Sequence, residues 1–566
     1  MKKLFSLFII LALSLSIIVS FTGCDMFGDI SDTDNSGNGN TDTGTGDNNK
    51  GPDDGQTPST DDKDPDNKEP DEGNQGGSVN KPDDTENPDD KPDDTEKPNP
   101  DNTVNGSVGL SYTNSYDVCY IVDGIGSCKD TDVVIPDTYN GLPVVAIKTE
   151  VFYENDNIKS VKVGKNVTSI GASGFYGCDN LESVILPDGL TSIEGGTFHG
   201  CAKLTQINIP DSVQYIGSEA FCYCISLKSI IIPGNVKEIG YCAFCFCTSL
   251  ESVTISSGVE TIEWSAFYEC YKLKSVAIPD SVTTMGTSVF KNCLELESAT
   301  IGKGMSTIPE SSFEGCQSLK SIVIPDSVAK IEQSAFGGCS ALTSLTIGRG
   351  VKTIGALAFS GCNSLTDLEI GSSVETIEEK AFYFCSSLVN LVVSDSVKFI
   401  DEYAFASCSN LENVSMGNGI VHFGMNVFSS CKKIKYNTYM GGSYLGNETN
   451  PYVILMQITP VEEATTVSLH SDTKSVAPFA IKCHKNIKSI ILPEGLIGLS
   501  TCSISAWELE YILIPESIEY IATSIIDYYE ALERVYYRGS QEQWESIVIE
   551  DYNDKLLKAP RAYNYQ

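Results

Sequence analysis

The chain has 566 residues, with 76 Asp and Glu against 38 Lys and Arg and a formal net charge of −38. With that balance and no basic stripe, no nucleic-acid partner is expected, because phosphate binding wants a basic face; the length also exceeds what one compact core organises. The charge is unevenly placed: residues 25–105 hold 24 Asp and Glu and 6 Lys, a net −18, so nearly half of it sits in about a seventh of the chain.

Lys2 and Lys3 precede an apolar run, Leu4 to Phe21, broken only by serines, and then Thr22, Gly23 and Cys24. A positive start, an apolar stretch and small residues before a cleavage point read as an export signal over residues 1–23. Phe21-Thr22-Gly23-Cys24 resembles the bacterial lipobox, which implies lipidation of Cys24 and contact with a membrane through an N-terminal lipid anchor. An ordinary signal peptide or a spanning helix is the alternative, since the run is about long enough to cross a bilayer. The acidic stretch that follows suits a tethered lipoprotein. Residues 24–105 are rich in Asp, Asn, Gly, Pro, Thr and Ser, and no aromatic appears between Phe27 and Tyr112. Such a segment buries too little apolar surface to offset its chain entropy, so it reads as a disordered, self-repelling tether.

Order is expected to begin near Ser107. Tyr112, Val118, Tyr120 and Val122 lie among polar residues with a rough period of two, and Gly124 and Gly126 are turn signals. This predicts an N-terminal hairpin cap over residues 106–143. Cys119 and Cys128 could pair across it in an exported protein, although spacing does not fix geometry.

From Phe175 to Phe428 a phenylalanine recurs every 23 residues, twelve times, and each is followed three residues later by a cysteine, from Cys178 to Cys431. Leu181, Leu204 and Leu227 begin another column, and Ile193, Ile216 and Ile239 a third. A period that strict predicts a solenoid, in which each repeat packs only on its neighbours. Within one repeat, Val276-Ala277-Ile278 has the period of a short strand, and Pro279 closes it. The Phe-x-x-Cys-x-x-Leu stretch steps by three, which predicts a helical or 3₁₀ turn on the opposite side. Regular repeats are expected over 144–435, an insertion over 436–480, degenerate repeats over 481–537 and a C-terminal cap over 538–566. About sixteen coils at a strand spacing of about 4.8 Å would make a rod on the order of 75 Å long.

Ile216-Gly217-Ser218-Glu219-Ala220-Phe221, followed by Cys224, Leu227, Ile230, Ile232 and Pro233, resembles the leucine-rich repeats of the BspA type, also called the Treponema pallidum type. The resemblance covers roughly residues 106–540. It implies a leucine-rich repeat solenoid of short parallel strands and helical or 3₁₀ turns behind a disordered tether. It also implies a bacterial surface or secreted protein that binds proteins or cells.

The twelve in-register cysteines read as a buried, reduced seam, since a free cysteine behaves as a small apolar residue. Cys222, Cys242 and Cys245 lie off that column. Cys222 and Cys245, one period apart, could form a disulfide; a zinc site lacks facing Cys-x-x-Cys pairs. None of His199, His422, His470 and His484 stands in a nucleophile–base pattern, and no phosphate-cradling glycine loop follows a strand. No catalytic residue, metal or cofactor is therefore expected. Among outward strand positions, Lys228, Glu251, Lys274, Glu297 and Lys320 alternate in sign and cancel along the column. The next outward column reads Ile185, Asn208, Ile231, Thr254, Ala277, Thr300, Val323, Thr346, Glu369, Val392 and Ser415. Such an apolar, β-branched stripe reads either as strand propensity or as a ligand-binding face. The expected function is a lipid-anchored surface protein that binds an extracellular protein or glycan, as an adhesin would. The alternatives are an envelope protein that binds another bacterial surface component and, remotely, a hydrolase sited in 436–480.

Overall fold

The computed structural model describes residues 105–460, 463–482, 486–527 and 532–566. The export signal, Cys24, most of the tether and His484 lie outside them.

These residues form a parallel β-solenoid of about 19 coils with little helix. Each regular coil has three walls. The first is a short strand such as Ser229–Ile232, Ser252–Ile255 or Ser275–Ala277, paired in parallel with its neighbours at a 23-residue offset, as in Ile230 with Val253. The second is a two-residue strand such as Tyr215–Ile216 or Glu238–Ile239, stacked the same way. Alternate residues of each strand face inward, so Ile230, Ile232, Ile216 and Ile239 are buried. No single coil could cover them; stacking does.

The third wall differs from the expected helical or 3₁₀ turn. It is a ribbon of successive turns, and the helices among the described residues are Gln541–Ser546 and Asp554–Lys558, both near the C-terminus. In the coil at Phe313, the amides of Ser312, Glu314 and Cys316 bond three residues back, to Pro309, Ser311 and Phe313. The amides in between, of Ser311, Phe313 and Gly315, bond forward to Gln333, Ala335 and Gly337 of the next coil. This alternation needs left-handed residues at two points, Ser311 at φ 55° and Gly315 at φ 74°. Stepping by three is common to a 3₁₀ helix and to consecutive β-turns, which is why spacing alone did not separate them.

Inside this ribbon the phenylalanines stack. Phe313 lies 5.4 Å from Phe290 and 5.2 Å from Phe336, centroid to centroid and nearly parallel. Each of the twelve cysteines donates its Sγ–H to the carbonyl of the phenylalanine one coil back, as Cys339 does to Phe313 at 3.3 Å. That carbonyl also accepts from the amide of Cys316, at 3.2 Å. Both lone pairs of a buried oxygen are thus used.

The Pro-Asp-Ser corners tie coils together as well. Asp280 Oδ1 accepts the Lys303 amide at 2.8 Å, and Ser281 Oγ donates to the Val259 carbonyl at 2.7 Å.

At the N-terminal end, Ser111–Ser115 pairs antiparallel with Cys119–Gly124, which lies parallel to Leu142–Ile147. Tyr112 stacks on Tyr139 at 4.1 Å over the first coil. Residues 436–480, expected as an insertion, hold an antiparallel meander of Asn437–Tyr439, Gly442–Leu445 and Ile454–Ile458, followed by a further strand, Thr466–Ser468, that pairs with Ser489–Ile491. Ile454–Ile458 in turn pairs in parallel with Ser475–Val476, so the meander is stitched into the solenoid. The second wall closes past it: Phe423 donates its amide to Ser500 Oγ at 3.1 Å, and a Cβ on Gly498 would fall 1.8 Å from the Val421 carbonyl. At the C-terminus, Ser540 and Gln543 form a capping box on Gln541–Ser546, and Trp544 is buried there with the Arg561 guanidinium over its ring at 5.2 Å.

Truncating a ring in the middle of the stack leaves a cavity with aromatic neighbours on two sides. Phe313→Ala is expected to cost about 3–5 kcal/mol in urea unfolding. Phe428→Ala, at the half-buried end of the column, is expected to cost less.

Candidate ligand-binding face

The outward column of the first wall lies on strands whose alternation points it away from the core. Ile185, Ile231, Val323 and Val392 are 61%, 62%, 63% and 44% exposed. Asn208, Thr254, Ala277, Thr300, Thr346 and Glu369 are exposed as well. Neighbours within the column pair in register, Ile231 with Thr254, Ala277 with Thr300, Val323 with Thr346 and Glu369 with Val392. Ser415 is only half-buried rather than exposed, because Gly446 of the meander bridges to it.

The column beside it is charged and self-cancelling. Lys320 reaches Glu297 at 2.6 Å, and Lys435 pairs with Glu412. Both pairs are solvent-exposed, so each contributes little to stability. The outward position two residues before the apolar column is serine over much of the face, Ser229, Ser252, Ser275, Ser298, Ser321 and Ser344, and then changes to Asp367, Asn390 and Asn413. There an amide ladder forms: Asn390 Nδ2 donates to Asp367 Oδ1 at 2.6 Å, Asn413 Nδ2 to Asn390 Oδ1 at 2.7 Å, and Lys435 Nζ to Asn413 Oδ1 at 3.4 Å. This ladder borders a groove of about 610 Å³ between the strand face and the meander, with Val392, Val414, Asn437, Asn447 and Pro451 also in its walls. The sequence reading missed this groove, because the meander that makes its far side has no repeat signature.

A second feature it missed runs along the turn ribbon, one or two residues past the phenylalanines. Tyr153, Tyr176 and His199 stack at 4.9 and 4.4 Å, and Tyr223 stacks on Phe246 at 4.5 Å. Burial among these rings pushes the His199 imidazole below its usual pKa, against the pull of Glu219, whose carboxylate is 3.3 Å from Nδ1. His422 is likewise pushed down by burial, beside Tyr520. His470 stacks on Tyr452 at 3.9 Å. None of these three lies beside a nucleophile in the described contacts; each is packed among aromatic rings.

Cys119 and Cys128, which could pair across the hairpin, are both free thiols in this structure. Cys222 and Cys245 are also free, with their sulfurs 2.8 Å apart. The seam cysteines from Cys178 to Cys431 are all buried and free. Burial raises the thiols of Cys178 and Cys339 to about 12. Among the described residues no group of three His, Cys, Asp or Glu side chains is arranged to hold a metal.

A family model described as the BspA type leucine rich repeat region matches residues 145–263, 215–343, 306–435 and 461–556. Among solved structures, a leucine-rich repeat protein from Bacteroides ovatus is similar over 80% of this chain and 98% of its own, at 24% identity and a TM-score of 0.50. A leucine rich cell surface protein from Faecalibacterium prausnitzii matches 55% of this chain and 93% of its own, at 27% identity and a TM-score of 0.37. The T. pallidum leucine rich repeat protein matches 33% of this chain and 88% of its own, at 34% identity and a TM-score of 0.31. No curated protein matches the chain.

One ionisable group on the second wall is held against its chemistry. Burial first, then the carboxylates of Glu378, Glu379 and Glu402, push Asp401 from 3.8 up to about 6. A raised folded-state pKa means that the native state binds this proton more tightly than the unfolded chain. Ionised Asp401 therefore costs stability above about pH 6, and the cost fades as pH falls from 6 towards 3.8. Asp401→Asn is expected to raise stability at pH 7.5, by on the order of 1 kcal/mol once solvent screening is allowed for, with no gain below pH 4 in unfolding titrations. The matched stretches, with the repeat geometry, place more than half of the chain in one family, and the protein belongs to the BspA-type leucine-rich repeat family.

Proposed function

We propose that this protein is exported, lipidated at Cys24 and held on the bacterial cell surface. There its solenoid binds an extracellular protein or glycan through the outward column from Ile185 to Val392, and so mediates adhesion to host or other cells. The observation that carries the reading is the exposure of that column. Ile185, Ile231, Val323 and Val392 stand in water on three successive parallel sheets of the first wall. Exposed apolar rows of this kind mark interaction surfaces, and solenoids present their ligands with extended, regularly spaced faces. Membership of the BspA-type family supports an interaction role over a catalytic one. The acidic composition of residues 25–105, with 24 Asp and Glu against 6 Lys, supports display away from a membrane.

Binding of residues 106–566 to a panel of matrix proteins and glycans, measured by surface plasmon resonance, tests the face. Replacing Ile231 and Val323 by Lys is expected to raise Kd by about tenfold or more with an unchanged circular dichroism melt. Unchanged affinity would move the site off this column. Cys24→Ala is expected to abolish labelling by a fatty acid in growing cells and to release the protein into the medium; a labelled Cys24→Ala protein would sink the anchor.

A further inference from the structure

The twelve seam thiols each have a backbone partner, with Sγ to carbonyl distances such as 3.0 Å at Cys178 and 3.6 Å at Cys362. Cys222, Cys242 and Cys245 are different. They form a separate buried cluster on the turn ribbon, covered by Tyr223, Phe246 and Tyr268. Cys222 and Cys245 follow Phe221 and Phe244, at equivalent positions of adjacent coils, and their sulfurs lie 2.8 Å apart. That is nearer than non-bonded sulfurs ordinarily sit and outside the ~2.05 Å of a disulfide. Equivalent positions on stacked coils have Cα atoms about 4.8 Å apart, inside the range a disulfide spans. Cys242 packs in the same buried cluster, three residues before Cys245. Of the three, Cys242 is the most open, 9% exposed against 3% for Cys222 and 1% for Cys245.

We propose that these three cysteines form a thiol relay that closes a Cys222–Cys245 disulfide across two adjacent coils when the exported protein meets a disulfide oxidant. Cys242, the point of entry, attacks one sulfur of the oxidant's disulfide and releases one thiol. Cys245 then attacks the Cys242 sulfur, expelling the second thiol and forming Cys242–Cys245. Cys222 attacks the Cys245 sulfur, which forms Cys222–Cys245 and returns Cys242 to the thiol. Two protein thiols are oxidised, and their two electrons and two protons leave with the oxidant as two thiols. Each attack needs a thiolate. Sulfur hydrogen bonds and then burial raise Cys242 and Cys245, and against the pull of its hydrogen bond to Cys245 burial raises Cys222, so the relay runs slowly near neutrality and faster as pH rises. The seam stays reduced beside it, because each of its sulfurs is turned to a backbone carbonyl of the neighbouring coil. The product is a single covalent tie between coils.

The test uses the full chain, reduced and then exposed to glutathione disulfide at pH 8. Samples are acid-quenched over time, denatured, alkylated and mapped by tandem mass spectrometry. The expected end product has Cys222 joined to Cys245, with Cys242 and the twelve seam cysteines alkylated. Cys242→Ser should reach the same bridge at least tenfold more slowly. Cys222→Ser should halt at Cys242–Cys245, and Cys245→Ser should form no bridge in the cluster; circular dichroism confirms that each variant is folded. The proposal is overturned if the cluster stays unbridged after exhaustive oxidation, if wild type ends at Cys242–Cys245, or if Cys242→Ser bridges at the wild-type rate. Zinc held by the reduced protein at one equivalent and lost in Cys242→Ser would overturn it too, by making the cluster a metal site.

Discussion

Every second amide of the turn ribbon donates to the next coil, and the amides between them close turns within their own coil. This alternation sets the register that the other walls obey. Because Phe313 must offer its amide to Ala335 and its carbonyl to the Cys339 thiol, its ring can stack only on Phe290 and Phe336. A one-residue slip would exchange the two classes of amide and turn every buried ring outward. The repeat is therefore held at 23 residues wherever the ribbon keeps this alternation; Lys482 still pairs with Ser505 at that offset, so the one-residue loss that follows falls between Ser505 and Tyr511, at the end of a ribbon that has lost the Phe and Cys pair. Between Ser489 and its partner Tyr511 the offset is 22, and the residue is lost outside the paired strands.

The same constraint explains why so many polar residues are structural. Asp280, Asp326 and Asp395 each accept an amide from the next coil, at 2.8, 2.8 and 2.7 Å. Ser281 and Ser396 donate to carbonyls of the coil before. These corners satisfy backbone groups that neither strand reaches, which is what a buried polar backbone demands. Chemistry at these positions is used up in holding coils together. Only side chains that point away from all three walls are left for other work.

Much of this was legible in the sequence. The phenylalanine, cysteine, leucine and isoleucine columns report inward positions, and inward positions have one solution in a stacked coil. The outward column from Ile185 to Val392 followed from strand alternation alone. The ribbon was not legible, because its left-handed residues include Ser334, Leu357 and Lys380, types that announce no special backbone. They adopt it because the forward amide bonds on either side leave no other path, at a cost of roughly 1–2 kcal/mol each that the ladder offsets. The meander at 437–458 escaped for the opposite reason. Its antiparallel strands carry no 23-residue echo, and its packing on Ser415 and Met416 depends on contacts far apart in sequence.

The proposed ligand face is not uniform along its length. Towards its N-terminal end it offers Ile185 and Ile231 above a row of serines, with the self-cancelling Lys and Glu column alongside. Towards its C-terminal end the serines give way to Asp367, Asn390 and Asn413, joined side chain to side chain and ending on Lys435. The ladder holds these groups in one orientation, so a partner that meets them does not first have to order them. The meander walls this end, and the Gly446 bridge stops the open column at Val392. An extended ligand lying across the strands would therefore meet apolar contact on about every second coil and oriented amides only at one end. Apolar rows alone repeat every coil and cannot distinguish one register of binding from the next. The amide groove occurs once, and it is the feature of this face that could fix a single register.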